Sequence, residues 1–309
     1  MRRTPVAAVA LALPALALAA CGDDGGAAGA SGDRPHVVVT TNVLGNVVSD
    51  MVGDEAAVEV IMPPGTAPHE FQASARQVAT MRDADVLIIN GAGFEEGLTD
   101  SIEAAEQDGV PTFAAIDAVD TLQLPGNGGT DPHFFTDPAR MASAAQGIAD
   151  FLVDEVPSLD TPAFADQAQA TIDELHALDG EVEQTLSAVP PDRRTLVTNH
   201  EVFGYFADRY EFEVVGAVIP AGTTQAEPSA AQLDELAHTI EDHHVPAIFV
   251  ETSSPTRLAD VLADEVGDVD VVELFSESLG DEGSGGETYV AMMRTNAGRI
   301  ADALRAPNP

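Results

Sequence analysis

From Pro162 to Pro190 the chain runs without an internal proline and with a single glycine. Phe164, Ala168, Ile172, Leu175, Leu178, Val182, Leu186 and Val189 recur there at steps of three and four. That is the period of one long amphipathic helix. At 1.5 Å per residue it reaches about 40 Å, enough to run along a whole lobe. It separates two halves of similar pattern, so it reads as a rigid connector between two lobes.

Each half alternates strands with helices. In the first, strands are expected at His36–Val43, Val58–Met62, Asp85–Asn90 and Thr112–Ile116, with helices at Leu44–Val52, Ser74–Arg82, Gly97–Gln107 and Ala139–Val156. Asp137-Pro138 reads as the start of the last helix, with Asp as N-cap and Pro at the first helical position. In the second half, strands are expected at Thr195–Thr198, Phe212–Ile219, Ala247–Val250 and Val269–Phe275. Helices follow through Phe203–Phe206, over Ala230–Asp242, from Ser254-Pro255 through Leu258, Val261 and Leu262, and over Thr288–Leu304. Such alternation implies an α/β fold with parallel sheets covered on both faces.

The chain opens Met1-Arg2-Arg3, runs apolar from Val6 to Ala20 and then reads Leu18-Ala19-Ala20-Cys21. A basic start, a short apolar core and small residues before a cleavage point make a secretory signal. The run is too short to span a bilayer. Leu-Ala-Ala-Cys resembles the lipobox of bacterial lipoproteins, which implies cleavage before Cys21 and a lipid on that residue. Cys21 is the only cysteine, so no internal disulfide and no cysteine metal site is expected. The division expected is a signal peptide at 1–20, a lipidated flexible tether at 21–34, an N-terminal lobe at 35–157, the connector at 158–190 and a C-terminal lobe at 191–309.

Every basic residue is arginine, and without Arg2 and Arg3 the chain carries 11 of them against 52 acidic residues. Nucleic-acid binding needs a basic stripe, so that class is excluded. The charge favours solubility and attracts cations.

Three histidines occupy equivalent places. His69 ends the Pro/Gly loop Pro63–Phe71, His133 precedes the helix at Asp137-Pro138, and His200 follows the strand Thr195–Thr198. Each stands beyond the carboxyl end of a strand, where open parallel α/β sheets bind ligands. Two come from the first half and one from the second, so they can converge across an interlobe cleft. Glu277 takes the matching place after the last strand. Three imidazoles and one carboxylate form a closed four-coordinate set suited to Zn²⁺, with Mn²⁺ as the alternative. His36, His176, His238, His243 and His244 read as structural.

A metalloenzyme is the competing class. His69-Glu70 and His200-Glu201 begin like the zincin H-E-x-x-H, but Ala73 and Gly204 stand where the second histidine belongs. A catalytic zinc also keeps a position open for water, which the four-residue set closes. Glu70 and Glu201 are then candidates for orienting the imidazoles. Glu251, at a strand end, is read first as a buried structural acid and second as a further orienting group. An adhesin or structural lipoprotein with an inert cleft is the third class.

The sequence resembles the zinc/manganese-type solute-binding lipoproteins of bacterial ABC importers, the cluster A-I family. The resemblance rests on Pro68-His69-Glu70-Phe71, Asp131-Pro132-His133 with Asp137-Pro138, Asn199-His200 with Phe203-Gly204-Tyr205-Phe206, Phe249-Val250-Glu251, and Thr288-Tyr289 with Met292-Met293 and Asn296. It implies two (β/α)₄ lobes joined by one long helix and a metal buried between them, held at His69, His133, His200 and a final carboxylate. It also implies an extracytoplasmic, membrane-anchored monomer that delivers metal to an ABC permease. Three departures stand out. Phe135 replaces the usual Trp, Glu277-Ser278-Leu279 replaces an Asp before Ser-Leu, and Gly126–Thr130 carries no histidine-rich loop. The longer Glu277 leaves Asp281 and Glu282 as substitutes. His200, where manganese members tend to carry Glu, resembles the zinc branch of that family.

Overall fold

The β-branched runs of this chain build two sheets. The structure, a computed structural model, describes residues 34–126 and 128–305. The leader, Cys21 and nearly all of the tether lie outside the described residues. The first lobe runs β1 (His36–Val39), α1 (Asn42–Val52), β2 (Ala57–Val60), α2 (Ala75–Arg82), β3 (Val86–Ile89), α3 (Thr99–Gln107), β4 (Thr112–Ala114) and α4 (Pro138–Glu155). After the long helix α5 (Pro162–Leu186), the second runs β5 (Thr195–His200), α6 (Gly204–Tyr210), β6 (Glu213–Ile219), α7 (Ala230–His243), β7 (Ala247–Glu251), α8 (Arg257–Val266), β8 (Asp270–Leu274) and α9 (Tyr289–Arg305).

Both sheets are wholly parallel, in the orders β2-β1-β3-β4 and β6-β5-β7-β8. The two orders are the same topology repeated. In each, the chain steps outward once and then crosses to the other side of its first strand. The crevice at that crossing lies at the strands' carboxyl ends. This is the expected fold, two (β/α)₄ lobes joined by one helix.

Local chemistry sets the helix starts. Asp137 Oδ1 accepts the amides of Ala139 and Arg140 at 2.8 and 3.3 Å, with Pro138 first in α4. Thr161 caps α5 through Phe164 N–H at 3.1 Å, again with proline first. Ser74 with Gln77 and Ser229 with Gln232 form capping boxes on α2 and α7. The face of α5 falls as its periodicity expects: Phe164, Ala168, Ile172, Leu175, Leu178, Val182 and Leu186 are buried.

Three helices depart from expectation: α1 begins at Asn42, capped by Thr41, within the stretch expected as strand; α5 ends at Leu186, short of Val189; and α8 starts late. α8 begins at Arg257, not at Ser254-Pro255, because residues 252–254 are still turning away from β7. It buries Ala259, Leu262 and Ala263, while Leu258 and Val261 are exposed. Leu262 packs inward between the two alanines, and Leu258 and Val261 beside that stripe stay out.

The core has three parts. The outer face of the first sheet packs with residues of α2 and α3, and that of the second with residues of α7 and α8. Between them lies the largest cluster. It joins the inner faces of both sheets through α1, α4, α5, α6 and α9. α5 touches α1 and α4 of one lobe and α9 of the other. The lobes therefore share a core. Among the described residues no helix is long and apolar enough to cross a membrane.

Candidate metal centre

The four singled-out residues meet at one point. His69 sits in a 3-10 turn, Pro68–Glu70, on the loop after β2. His133 precedes a second such turn, Phe134–Thr136, at the head of α4. His200 is the last residue of β5, and Glu277 lies on the loop after β8. Each approaches from a strand's carboxyl end.

All four are buried, His133 and His200 completely. One donor atom from each lies within 4.8 Å of all the others. Glu277 Oε1 is the common neighbour, at 3.0 Å from His69 Nε2 and 3.2 Å from both His133 Nε2 and His200 Nε2. A tetrahedral site with bonds of about 2.0–2.1 Å has edges of roughly 3.3 Å, close to these separations. Glu277 Oε2 and His133 Nε2 are buried without a hydrogen-bond partner. These two are among several such buried atoms, and because both belong to the centre a cation is a partner that both donors can share. Asp281 and Glu282 are exposed and take no part.

The far side of the rings is held unequally. Asp131 Oδ1 lies 2.7 Å from His133 Nδ1 and also accepts the His133 amide at 3.0 Å. Glu251 Oε1, on the neighbouring strand β7, lies 2.5 Å from His200 Nδ1 and accepts Asn199 Nδ2 at 3.0 Å. A carboxylate there fixes the tautomer, so that Nε2 presents its lone pair to the centre. His69 Nδ1 has only the half-exposed Glu96 nearby, at 3.4 Å.

Glu251 is therefore buried, as its first reading expects, and sits beside an imidazole, as its second does. Glu70 and Glu201 do not. Glu70 is exposed and, among the described residues, bonds none of the imidazoles. Glu201 is half-buried and lines a cavity of about 420 Å³ beside the centre, together with Glu96, Pro132 and Gly222. The physical reason is that His133 and His200 already have Nδ1 partners, from two residues upstream and from the next strand. In the sequence Asp131 stands out only as part of the Asp131-Pro132-His133 motif.

The electrostatics follow from burial and these partners. Burial pulls the His200 imidazole down, but Glu251 and Glu277 outweigh it and hold it well above its usual value. His133 is likewise pulled down by burial and raised by Asp131 and Glu277, with a net rise. Burial alone would raise Glu277, yet the charge of His200 and the close approach of all three imidazoles hold it well below the carboxylate range. Before metal arrives, the centre pairs a fixed carboxylate with imidazolium, and cation binding must expel protons.

The walls are braced from both lobes. Phe94 stands 5.1 Å from the His69 ring and 5.3 Å from Phe135, which fills the place of the usual Trp. Asn90 Nδ2 donates to Pro132 O at 2.9 Å, steadying the loop of His133. Behind it the buried Glu95 accepts from Thr40 Oγ1 at 2.6 Å and from the Asn90 amide. From the second lobe, Tyr205 Oη donates to Asp131 O at 2.7 Å. A Cβ at Gly204 would stand 2.6 Å from Asp131 Oδ2, so glycine beside Tyr205 makes that approach feasible.

Two parallel lobes about one rigid helix, with three imidazoles and a carboxylate buried between them, define a two-lobed solute-binding protein with a cation site. The chain belongs to the family described as Zinc-uptake complex component A periplasmic, ZnuA, which matches residues 37–303. It is 31% identical to the zinc-binding protein TroA of Treponema pallidum, over 89% of this chain and 90% of that one. It is 29% identical to the manganese-binding lipoprotein MntA of Halalkalibacterium halodurans, over 94% and 95%. The solved periplasmic zinc-binding protein TroA superposes with a TM-score of 0.82, covering 88% of this chain and all of that one. By that membership the chain is an extracytoplasmic metal-binding receptor of an ABC importer, not an enzyme.

Proposed function

We propose that this receptor captures Zn²⁺ through His69, His133, His200 and Glu277 and hands it to the importer's permease. The observation that carries the reading is the convergence of three imidazole Nε2 atoms on one buried carboxylate oxygen, with Glu277 Oε2 left unpartnered. Three nitrogens and one carboxylate suit zinc, which is content with four ligands, whereas Mn²⁺ favours a fuller set of oxygens. Manganese is the second reading, supported by the name of the Halalkalibacterium halodurans relative and by the two oxygens Glu277 offers.

No bond is made or broken in the cargo. Binding replaces the protons on His133 and His200 with the ion, and Asp131 and Glu251 hold both rings in place as it does so. Release requires the permease to part the lobes at the cleft. In this reading residues 1–20 are a signal peptide, Cys21 carries a lipid and 21–34 tethers a monomer to the membrane. The lobes span 35–157 and 191–309, on either side of a connector at 158–190. Lipoprotein names among the relatives and the Leu-Ala-Ala-Cys sequence support the anchor.

The test is the metal content of soluble protein from Gly22 onward, followed by competition of Zn²⁺ and Mn²⁺ against a chelator. One tightly held zinc, not displaced by manganese, is expected. His69→Ala, His133→Ala and His200→Ala should each lose most of that affinity. A preference for manganese would overturn the cargo, and wild-type affinity in any one variant would remove that residue from the site.

A further inference from the structure

Glu277 lies outside regular structure, so its position depends on what grips the loop on either side of it. Upstream the grip comes from its own lobe. Asn296 of α9 accepts the Phe275 amide at 3.0 Å and donates to the Phe275 carbonyl at 2.8 Å. Downstream it comes from the other lobe. Asn42, the first residue of α1, accepts the Leu279 amide at 2.7 Å and donates to Ser278 Oγ at 3.0 Å. Its amide nitrogen also lies 3.2 and 3.1 Å from the carbonyls of Met62 and Pro63, in its own lobe. The Leu279 carbonyl in turn accepts the amide of Gly65, on that same loop. Asn42 and Ser278 are buried, so these bonds are shielded from water and costly to leave unmade.

We propose that Asn42 is a positioning residue for Glu277, which makes the fourth ligand available only while the lobes are closed. Held at Phe275 alone, the loop can pivot about one end. Held at Ser278 and Leu279 as well, it presents Oε1 to all three imidazoles. Parting the lobes breaks either the Asn42 bonds or the alignment of Glu277 with His200, and each result removes a donor from the ion. Asn42 touches no ligand atom; it acts through the Ser278-Leu279 backbone and hydroxyl. The inference rests on Glu277 being a ligand, and the experiment separates the two statements.

The experiment is a double-mutant cycle on zinc affinity in the soluble chain from Gly22 onward, with Co²⁺ visible absorption reporting the number of ligands. Glu277→Ala should weaken zinc and change the Co²⁺ spectrum. Asn42→Ala should weaken zinc about 10- to 100-fold, as losses of ligand-orienting partners do, and shift the Co²⁺ spectrum toward that of Glu277→Ala. In the Glu277→Ala background, adding Asn42→Ala should change affinity by less than about twofold, because nothing remains to be positioned. Ser278→Ala removes the receiving hydroxyl and leaves α1 intact, so it decides the matter should Asn42→Ala fail to fold. Its smaller loss should also vanish in the Glu277→Ala background. Wild-type affinity in Asn42→Ala, or a loss that adds in full to that of Glu277→Ala, overturns the positioning role. Wild-type affinity in Glu277→Ala overturns the four-ligand reading itself.

Discussion

The three imidazoles of the centre are not equivalent, and the difference lies on the side away from the ion. His133 and His200 each have a buried carboxylate at Nδ1, whereas His69 has only the half-exposed Glu96. Glu251→Gln keeps the shape of its side chain and removes the charge. It should weaken zinc by about 10- to 100-fold, less than His200→Ala. It should also lower the His200 pKa, so that fewer protons leave on binding near neutral pH. Calorimetry in buffers of different ionisation heat reads that proton count, and an unchanged count would show that Glu251 does not govern the ring. The four converging residues were legible in the sequence because each follows a strand end, a position that pattern alone locates. Their partners were harder to read. Asp131 reaches His133 through a two-residue turn, and Glu251 reaches His200 only because β7 lies beside β5. Sequence spacing carries neither geometry, so Glu251 stands in the sequence only as one candidate beside Glu70 and Glu201, and Asp131 only as part of the Asp131-Pro132-His133 motif.

Among the elements, those with strong local chemistry were the easiest to read. The period of α5 marked its buried face, and Asp137-Pro138 marked the start of α4 to the residue. The face of α8 was only partly legible: Leu262 is buried as its pattern expects, but Leu258 and Val261 are exposed and the buried face is completed by Ala259 and Ala263, which an apolar pattern does not single out. The 3-10 turns that carry His69 and follow His133 have too few residues to show a period. Asp137 does two things at once. It caps α4, and its Oδ2 holds Arg140 at 2.7 Å, whose other nitrogen reaches Asp208 of α6 at 2.8 Å. Asp137→Ala should therefore cost about 1–2 kcal/mol of stability, the upper part of the range for a lost N-cap. Zinc affinity should fall less than in any ligand variant, since His133 keeps Asp131. Urea unfolding of the metal-free protein measures the first quantity and chelator competition the second. A stability within about 0.3 kcal/mol of wild type would mean that the cap is replaced by water or by a shifted first turn.

For the molecule as a whole, the shared core limits how the lobes can move. α5 is packed on helices of both lobes, and the largest cluster of buried side chains runs unbroken between the sheets. A wide swing would tear that cluster, so opening is limited to a small parting on the cleft side of α5. There the bonds of Asn42, Tyr205 and Gln225 cross from one lobe to the other, Gln225 by donating to His69 O at 2.5 Å. The charges inside the closed cleft then give metal-free and zinc-loaded protein opposite responses to pH. The raised pKa of His200 means that its protonated form favours the folded state. That contribution is complete below the ordinary imidazole value and is lost as pH rises through the raised one. Glu277, held well below its ordinary value, stays ionised throughout this range and does not offset the loss. Zinc needs the imidazoles neutral, so its binding strengthens over the same interval. The stabilisation by excess zinc should consequently grow from about pH 5.5 to about pH 8, by some 1.4 kcal/mol for each tenfold gain in affinity, and the rise in melting temperature should widen with it. Part of the widening should come from a falling melting temperature of the metal-free protein. Calorimetric scans with and without zinc across that range measure both. A shift that stays constant with pH would mean that zinc displaces no protons, and the paired imidazolium and carboxylate would no longer describe the empty receptor.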